Sequence, residues 1–285
     1  MKHLAGSVVA ISGAGSGIGR ALAQEFAHHG ARLSLCDINL DAVNATAVAL
    51  AAAGASVITR RVDVGSREDV AAWAEATRSH FGTCNIVVNN AGVALSGAVP
   101  ALSLEDYEWI MRINFWGVVY GTKAFLPLLE ASGEGHVVNI SSVFGLTAQP
   151  LMSGYNASKF AVRGFTESLR QDLELAGSCV SATCVHPGGI KTNIAKAARV
   201  DASVSALTGR PAAEATREFE LSFFTTPERA ARIIVDAVRR NRRRVLVGPD
   251  ARLYDWLARL MPAFYQRIFT AVVRLRSRPA PKGLA

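Results

Sequence analysis

The chain has 285 residues, half of them apolar and 7% aromatic, which is enough to bury a large core of helices packed closely on a parallel sheet. Its net charge of +8 is uneven: residues 227–285 carry 14 Lys and Arg against 4 Asp and Glu, so the basic character belongs to the tail and says little about the body. No run approaches the roughly 20 apolar residues of a membrane span, Val8–Ile11 is too short for a secretory leader, and the four cysteines form no CxxC pair, which argues for reduced thiols in a cytoplasmic protein and against a metal site or a disulfide framework.

Ser7–Ser12 reads as a strand, Ile18–His29 as a helix stopped at Gly30, Ala31–Asp37 as a strand and Asp41–Ala53 as an Ala-rich helix. Ser56–Val62 is a third strand, and Ser66 is placed to cap the next helix. Asn85–Asn89 is a fourth strand. Leu104–Ala131 is one long helical stretch, interrupted by Pro127. His136–Ser141 and Cys179–His186 are strands either side of a helix over Ser153–Ala176. Residues 193–225 weaken into an Ala/Ser/Thr-rich loop, Pro227 opens a helix to about Arg240, and Arg244–Val247 is a last short strand. Strands alternating with helices imply right-handed crossovers and a parallel sheet. The fold class is therefore α/β: a single Rossmann-type doubly wound sheet of about seven strands, flanked by helices, over residues 1–250. A helical extension occupies 251–285.

The first strand runs into Ser12-Gly13-Ala14-Gly15-Ser16-Gly17-Ile18-Gly19. Glycines let the backbone turn tightly and approach a phosphate, and the following helix points its N–H groups at a pyrophosphate. This makes Gly13, Ser16, Gly17, Ile18 and Gly19 a dinucleotide cradle. Asp37 ends the second strand about twenty residues on, where a carboxylate accepts from ribose hydroxyls and repels a 2′-phosphate. NAD is favoured over NADP; Arg20 and Arg32 are the cations that would argue the other way. Asp63, with Val64, closes the third strand near the adenine. Asn89-Asn90-Ala91-Gly92 closes the fourth at the same carboxyl edge.

Tyr155 and Lys159 lie one helical turn apart on one face. A free tyrosine titrates at about 10, too high for an efficient base at neutral pH, and a neighbouring ammonium favours the phenolate. Tyr155 is thus suited to move a proton to or from a substrate oxygen. Ser142, at the end of the fifth strand, is placed to hold that oxygen, with Ser141 as the adjacent rival.

With SGAGSGIG at 12–19, NNAG at 89–92, Asn114, Ser142, YNASK at 155–159 and Pro187-Gly188 with Thr192, the sequence resembles the classical short-chain dehydrogenase/reductase family over about residues 5–250. Ser12 stands where that family usually has Thr. The family's serine-to-tyrosine spacing favours Ser142 over Ser141. The resemblance implies a catalytic set of Asn114, Ser142, Tyr155 and Lys159. It implies that Lys159 contacts the nicotinamide ribose and that Asn114 anchors a water in a proton relay. It also places Pro187, Gly188, Ile190 and Thr192 against the nicotinamide, with Tyr155 and Lys159 themselves touching the cofactor. A dimer or tetramer is usual in the family. His186 reads better as a structural strand-end residue than as an acid or base.

The expected function is hydride transfer between a nicotinamide cofactor and a hydrophobic secondary alcohol or ketone. Alternatives are a nucleotide-sensing regulator or scaffold without turnover, or an epimerase or dehydratase using bound NAD. The expected pocket is apolar: Val93, Leu95, Phe144, Leu146, Leu151 and Met152, under a variable loop over 193–225. The tail shows an apolar stripe of Leu253, Leu257, Leu260, Phe264, Ile268 and Val272, with Arg252, Arg259, Arg267 and Arg274 on another side. Such a stripe packs on the body or a sister subunit, or residues 251–276 lie on an anionic membrane surface. No recognised nucleic-acid-binding module accompanies the arginines.

Overall fold

Strand β1 (Val8–Ser12) is buried along its whole length, so it needs partners at both edges and helices on both faces. The computed structural model, which describes residues 3–211, 214, 217 and 223–277, supplies them. The other strands are β2 (Arg32–Asp37), β3 (Val57–Arg61), β4 (Ile86–Asn89), β5 (Leu95–Ser96), β6 (Gly135–Ile140), β7 (Val180–Pro187), β8 (Arg199–Val200) and β9 (Arg244–Val247). Seven form one parallel sheet in the order β3-β2-β1-β4-β6-β7-β9, and β5 pairs with β8 in a separate ribbon. The chain winds outward from β1 to β3, then returns to β4 on the other side of β1. That reversal opens a crevice at the carboxyl ends of β1 and β4.

The helices are α1 (Gly17–His28), α2 (Leu40–Ala52), α3 (Arg67–Phe81), α4 (Leu104–Met111), α5 (Gly117–Ala131), α6 (Ser153–Leu175), α7 (Ala202–Thr208), α8 (Pro227–Arg239), α9 (Pro249–Leu260) and α10 (Tyr265–Arg276). On one face of the sheet Leu22 and Phe26 of α1 share a core with Ile234 and Val238 of α8. On the other, Trp73 of α3 meets Phe125 of α5 edge to face at 4.7 Å and donates from its indole N–H to Ser34 Oγ at 2.9 Å. The polar end of that indole is satisfied, so its burial adds packing without an unpaired donor. Ser66 caps α3 as expected, accepting from the Asp69 N–H at 3.1 Å.

Three expectations about elements change. The stretch 104–131 is two helices separated by a π-turn at Arg112–Trp116, a widened turn that holds Asn114. Pro127 does not interrupt α5: buried Phe125 and Leu129 fix the helix on both sides of it, and that packing outweighs one lost hydrogen bond. Within 193–225 the chain forms β8 and α7, and bonds between Lys191 N–H and Thr225 O at 3.0 Å and Thr225 N–H and Gly189 O at 3.3 Å tie its two ends together. Residues 212, 213, 215, 216 and 218–222 of that loop lie outside the described residues, as do 278–285 of the tail. Cys36, Cys84 and Cys184 are buried thiols, whereas Cys179 is exposed.

Candidate active site

A cavity of about 620 Å³ runs along the crevice, from the glycine turn after β1 to the start of α9. Gly13 and Gly17 adopt left-handed φ values of 66° and 52° there, a region costly for residues with a Cβ. A Cβ on Gly13 would also sit 2.9 Å from the Ala91 Cα. Gly13→Ala is accordingly expected to lower stability by about 1–2 kcal/mol. Denaturant unfolding measures this, and an unchanged midpoint would contradict it. Gly19 is different. It does not line the cavity, and a Cβ on it would run into the Gly13 carbonyl, so it lets α1 close against the turn. Ser12 shows what its hydroxyl is for: it accepts from the Asn90 N–H at 3.0 Å and the Ala91 N–H at 3.1 Å, locking the loop after β4 to the glycine turn.

Gly13, Ser16, Gly17, Ile18, Asp37, Asp63, Val64, Asn90, Ala91 and Gly92 all line this half of the cavity. Asp37 accepts from the Gly15 N–H at 2.9 Å and the Asn39 N–H at 3.0 Å; Asn39, not Asp37, caps α2. Arg20 is committed to the Gly15 carbonyl and to Thr46 Oγ1, the latter at 3.1 Å. Arg32 begins β2 at the opposite edge of the sheet, donating to the Gly6 carbonyl and lying over Phe81. Asp63 is ion-paired with Arg112 at 2.9 Å. Burial pushes its carboxyl up, but the bonds from Arg112 and the Gly65 N–H prevail and hold it below the usual carboxylate range.

The other half of the cavity gathers Ser142, Tyr155, Lys159, Pro187, Gly188, Ile190 and Thr192 from the loops after β6 and β7 and from α6. Ser142 stands close enough to the Tyr155 hydroxyl to draw its pKa down. Its own Oγ also accepts from the Phe144 N–H at 3.1 Å, which fixes its rotamer. Ser141 also borders the cavity, yet its hydroxyl is committed to the Lys159 carbonyl at 2.8 Å. Lys159 Nζ lies 5.7 Å from the centre of the Tyr155 ring and donates to the Ile140 carbonyl at 3.1 Å. Asn114 stands behind them, fully buried and outside the cavity wall. Its side chain accepts from the Val93 N–H at 2.8 Å and donates to the Val93 carbonyl and Ser158 Oγ, each at 3.0 Å. The π-turn thus clamps the loop after β4 to α6.

Electrostatically the site differs from expectation. Burial pushes the Tyr155 phenol up to about 12, although nearby Ser142 pulls it down. Burial also pushes the Lys159 ammonium down to about 8. In the ligand-free chain, desolvation of both groups therefore outweighs the attraction of a cation for a phenolate. His186 is fully buried; its imidazole is pushed down to about 4 by burial, so at neutral pH its Nδ1–H donates to the Ser142 carbonyl at 3.0 Å. It braces the serine loop and does not reach the cavity wall.

Of the expected substrate-pocket residues, Val93, Phe144 and Met152 line the cavity; Leu95, Leu146 and Leu151 do not. Leu95 and Leu146 are buried behind it. Sequence reasoning missed Trp109, Asp250 and Tyr254, whereas Ile194 and Phe223 come from the loop expected over the pocket. Asp250 Oδ2 accepts from the Gly189 N–H at 2.6 Å and covers Gly188, bracing the loop after β7. Tyr254 meets Phe144 at 6.4 Å, and Phe144 meets Tyr155 at 5.9 Å, so a run of rings leads from α9 to the Tyr155 hydroxyl. The signal was present: Gly248-Pro249-Asp250 follows β9 at the carboxyl edge, where ligands gather in this fold.

This arrangement has relatives. SadH of Mycobacterium tuberculosis, provisionally named an oxidoreductase, is 49% identical over 274 residues, covering 96% of this chain and 97% of its own. Estradiol 17-beta-dehydrogenase 11 of Macaca fascicularis is 37% identical over 196 residues, covering 68% of this chain and 65% of its own. Among solved structures, a short chain dehydrogenase/reductase from Burkholderia phymatum in complex with NAD superposes with a TM-score of 0.83 at 32% identity, covering the whole of both chains. The short chain dehydrogenase family profile matches residues 7–203, and the chain belongs to that family of oxidoreductases.

Proposed function

We propose that this protein transfers a hydride between NAD and a hydrophobic secondary alcohol or ketone, with Tyr155 as general acid/base. The observation that carries this reading is that Ser142, Tyr155 and buried Lys159 line one cavity with the glycine turn and Asp37, with Lys159 Nζ 5.7 Å from the centre of the Tyr155 ring. The residues fit a dinucleotide: the turn is too tight for a Cβ at Gly13, and the Asp37 carboxylate closes β2 at the same edge. Gly13, Ser16, Gly17, Ile18 and Asp37 would hold the adenosine and pyrophosphate, with Asp63, Val64 and Asn90-Ala91-Gly92 beside them. Gly19 supports the turn from behind. Pro187, Gly188, Ile190 and Thr192 would frame the nicotinamide. When bound, the nicotinamide supplies the hydride acceptor or donor and, oxidised, a positive charge.

In the oxidation direction Ser142 orients the substrate oxygen and Tyr155 takes the hydroxyl proton; in reduction Tyr155 returns it. Lys159 holds its charge beside the phenol, and Asn114 would anchor a water that relays protons from Lys159 to solvent. Trp109, Phe144, Met152 and Tyr254 give the substrate end an apolar wall, which favours a lipophilic substrate. Turnover of NAD with lipophilic secondary alcohols is expected to exceed that with small charged ones. Preference for small charged substrates would overturn the substrate class.

Cofactor choice rests on Asp37 and on Ile38, whose side chain is exposed where a cation would have to stand. Asp37→Ser together with Ile38→Arg is expected to shift the NADP-to-NAD ratio of kcat/KM by on the order of 10²-fold, since each tenfold needs only about 1.4 kcal/mol. An unmoved ratio means that another group selects the cofactor.

A further inference from the structure

The two C-terminal helices bury one face and leave another bare. Inward, Ala251, Tyr265 and Phe269 are buried, Tyr254 packs on Phe269 at 5.5 Å, and the Tyr265 hydroxyl accepts from the Ala148 N–H at 3.1 Å. This is not the stripe that the sequence suggested. Leu253, Trp256, Leu260, Phe264 and Leu275 point to solvent, with Trp256 58%, Leu260 59% and Phe264 53% exposed. Leu253, Trp256 and Leu260 share one side of α9, and Phe264 continues at the corner into α10.

The charges around this face are one-sided. Arg252, Arg259, Arg267, Arg274 and Arg276 are exposed. The only acids of the two helices, Asp250 and Asp255, are turned to the body: Asp250 bonds Gly189, and Asp255 is clamped between Arg244 and Arg259. Among the described residues from 251 to 277, the outer surface therefore offers apolar side chains and guanidinium groups and no free carboxylate. An isologous contact with a second copy would set arginines against arginines. A surface rich in anionic headgroups satisfies both features at once: acyl boundary for the leucines and aromatics, negative charge for the arginines. No helix among the described residues is long and apolar enough to cross a bilayer.

We propose that the outer face of α9 and α10 docks this protein on an anionic lipid surface. The inner face of α9 lines the cavity through Asp250 and Tyr254, so docking brings the substrate end of the site next to the store of lipophilic alcohols and ketones. That last consequence rests on the proposed function; the docking itself does not.

The test is sedimentation of the full chain with phosphatidylcholine vesicles, with and without about one third phosphatidylglycerol. Binding is expected only with phosphatidylglycerol, and is expected to fall at least tenfold in 0.5 M salt, where surface charges are screened. Two variants separate the contributions. Trp256→Gln with Leu260→Gln, and Arg252→Gln with Arg267→Gln, are each expected to weaken binding tenfold or more while leaving turnover of a water-soluble alcohol unchanged. Equal pelleting with both vesicle types, no pelleting, or unchanged binding by both variants overturns the proposal. So does a loss of self-association in the Trp256→Gln/Leu260→Gln variant, seen by analytical ultracentrifugation, because a second copy would then cover the face. Vesicle binding by a chain that oxidises no alcohol sinks the enzymatic reading and leaves the docking standing; turnover without vesicle binding does the reverse.

Discussion

Tyr155→Phe is expected to lower kcat/KM for alcohol oxidation on the order of 10²–10⁴-fold, the range that a positioned acid or base contributes, while NADH affinity stays within about threefold. The ring remains to pack against Phe144, and only the hydroxyl beside Ser142 is lost. Ser142→Ala should lower kcat/KM by a similar or smaller factor, because it removes the group that orients the substrate oxygen but leaves the proton acceptor. The pH dependence follows from burial. The phenol of the free chain lies up at about 12, and oxidation needs it without its proton, so oxidation should quicken as pH rises from neutrality. Reduction needs the protonated phenol and should slow over the same range. Steady-state rates in both directions with titration of NADH fluorescence check all of this. A Tyr155→Phe variant with wild-type turnover would move the proton-transfer role to another group. A variant that lost NADH binding as well would make Tyr155 a cofactor ligand first.

The parallel sheet and its helices were legible in the sequence because central strands such as β1 and β4 carry continuous apolar runs and the segments between strands have helical spacing, patterns set by burial rather than by partners. The glycine turn, Asp37, Tyr155 and Lys159 were legible because their backbone needs and side-chain chemistry follow from residue type and spacing; the choice of Ser142 over Ser141 came from the family resemblance. Asn114 was not legible on its own. A buried asparagine within a helical stretch looks like a defect until the π-turn and its bonds to Val93 and Ser158 are seen. Asp250 and Tyr254 were missed for a different reason: they lie beyond the last strand, in a stretch read as a separate extension, although β9 runs parallel to β7 and delivers them to the same edge. The tail was half legible. Its amphipathic period was read correctly, but the inward face is aromatic: Tyr254 meets Phe144, and Phe269 packs on Tyr254 and Tyr265. Periodicity marks where an apolar face is and cannot say which of two faces meets the body.

Lys159→Met is expected to abolish most turnover and yet to stabilise the ligand-free protein. The ammonium is buried, held by the Ile140 carbonyl, and burial pushes it from 10.5 down to about 8. A depressed lysine means that the unfolded chain binds the proton more tightly than the folded one. Folding at pH 7 therefore carries a cost on the order of 3 kcal/mol from this group. A methionine of similar length removes the charge and keeps the packing, against the loss of one hydrogen bond worth about 1–2 kcal/mol. The balance predicts a Tm higher by about 2–6 °C near pH 7. The sign of the pH dependence is fixed. As pH rises from about 8 toward 10.5 the unfolded lysine loses its proton too, the cost fades, and the gap between variant and wild type should close. Thermal melts at pH 7 and pH 10 measure it. A Met variant less stable than wild type at pH 7, with a gap unaffected by pH, would show that folding does not depress the lysine and that burial of its charge costs the fold nothing.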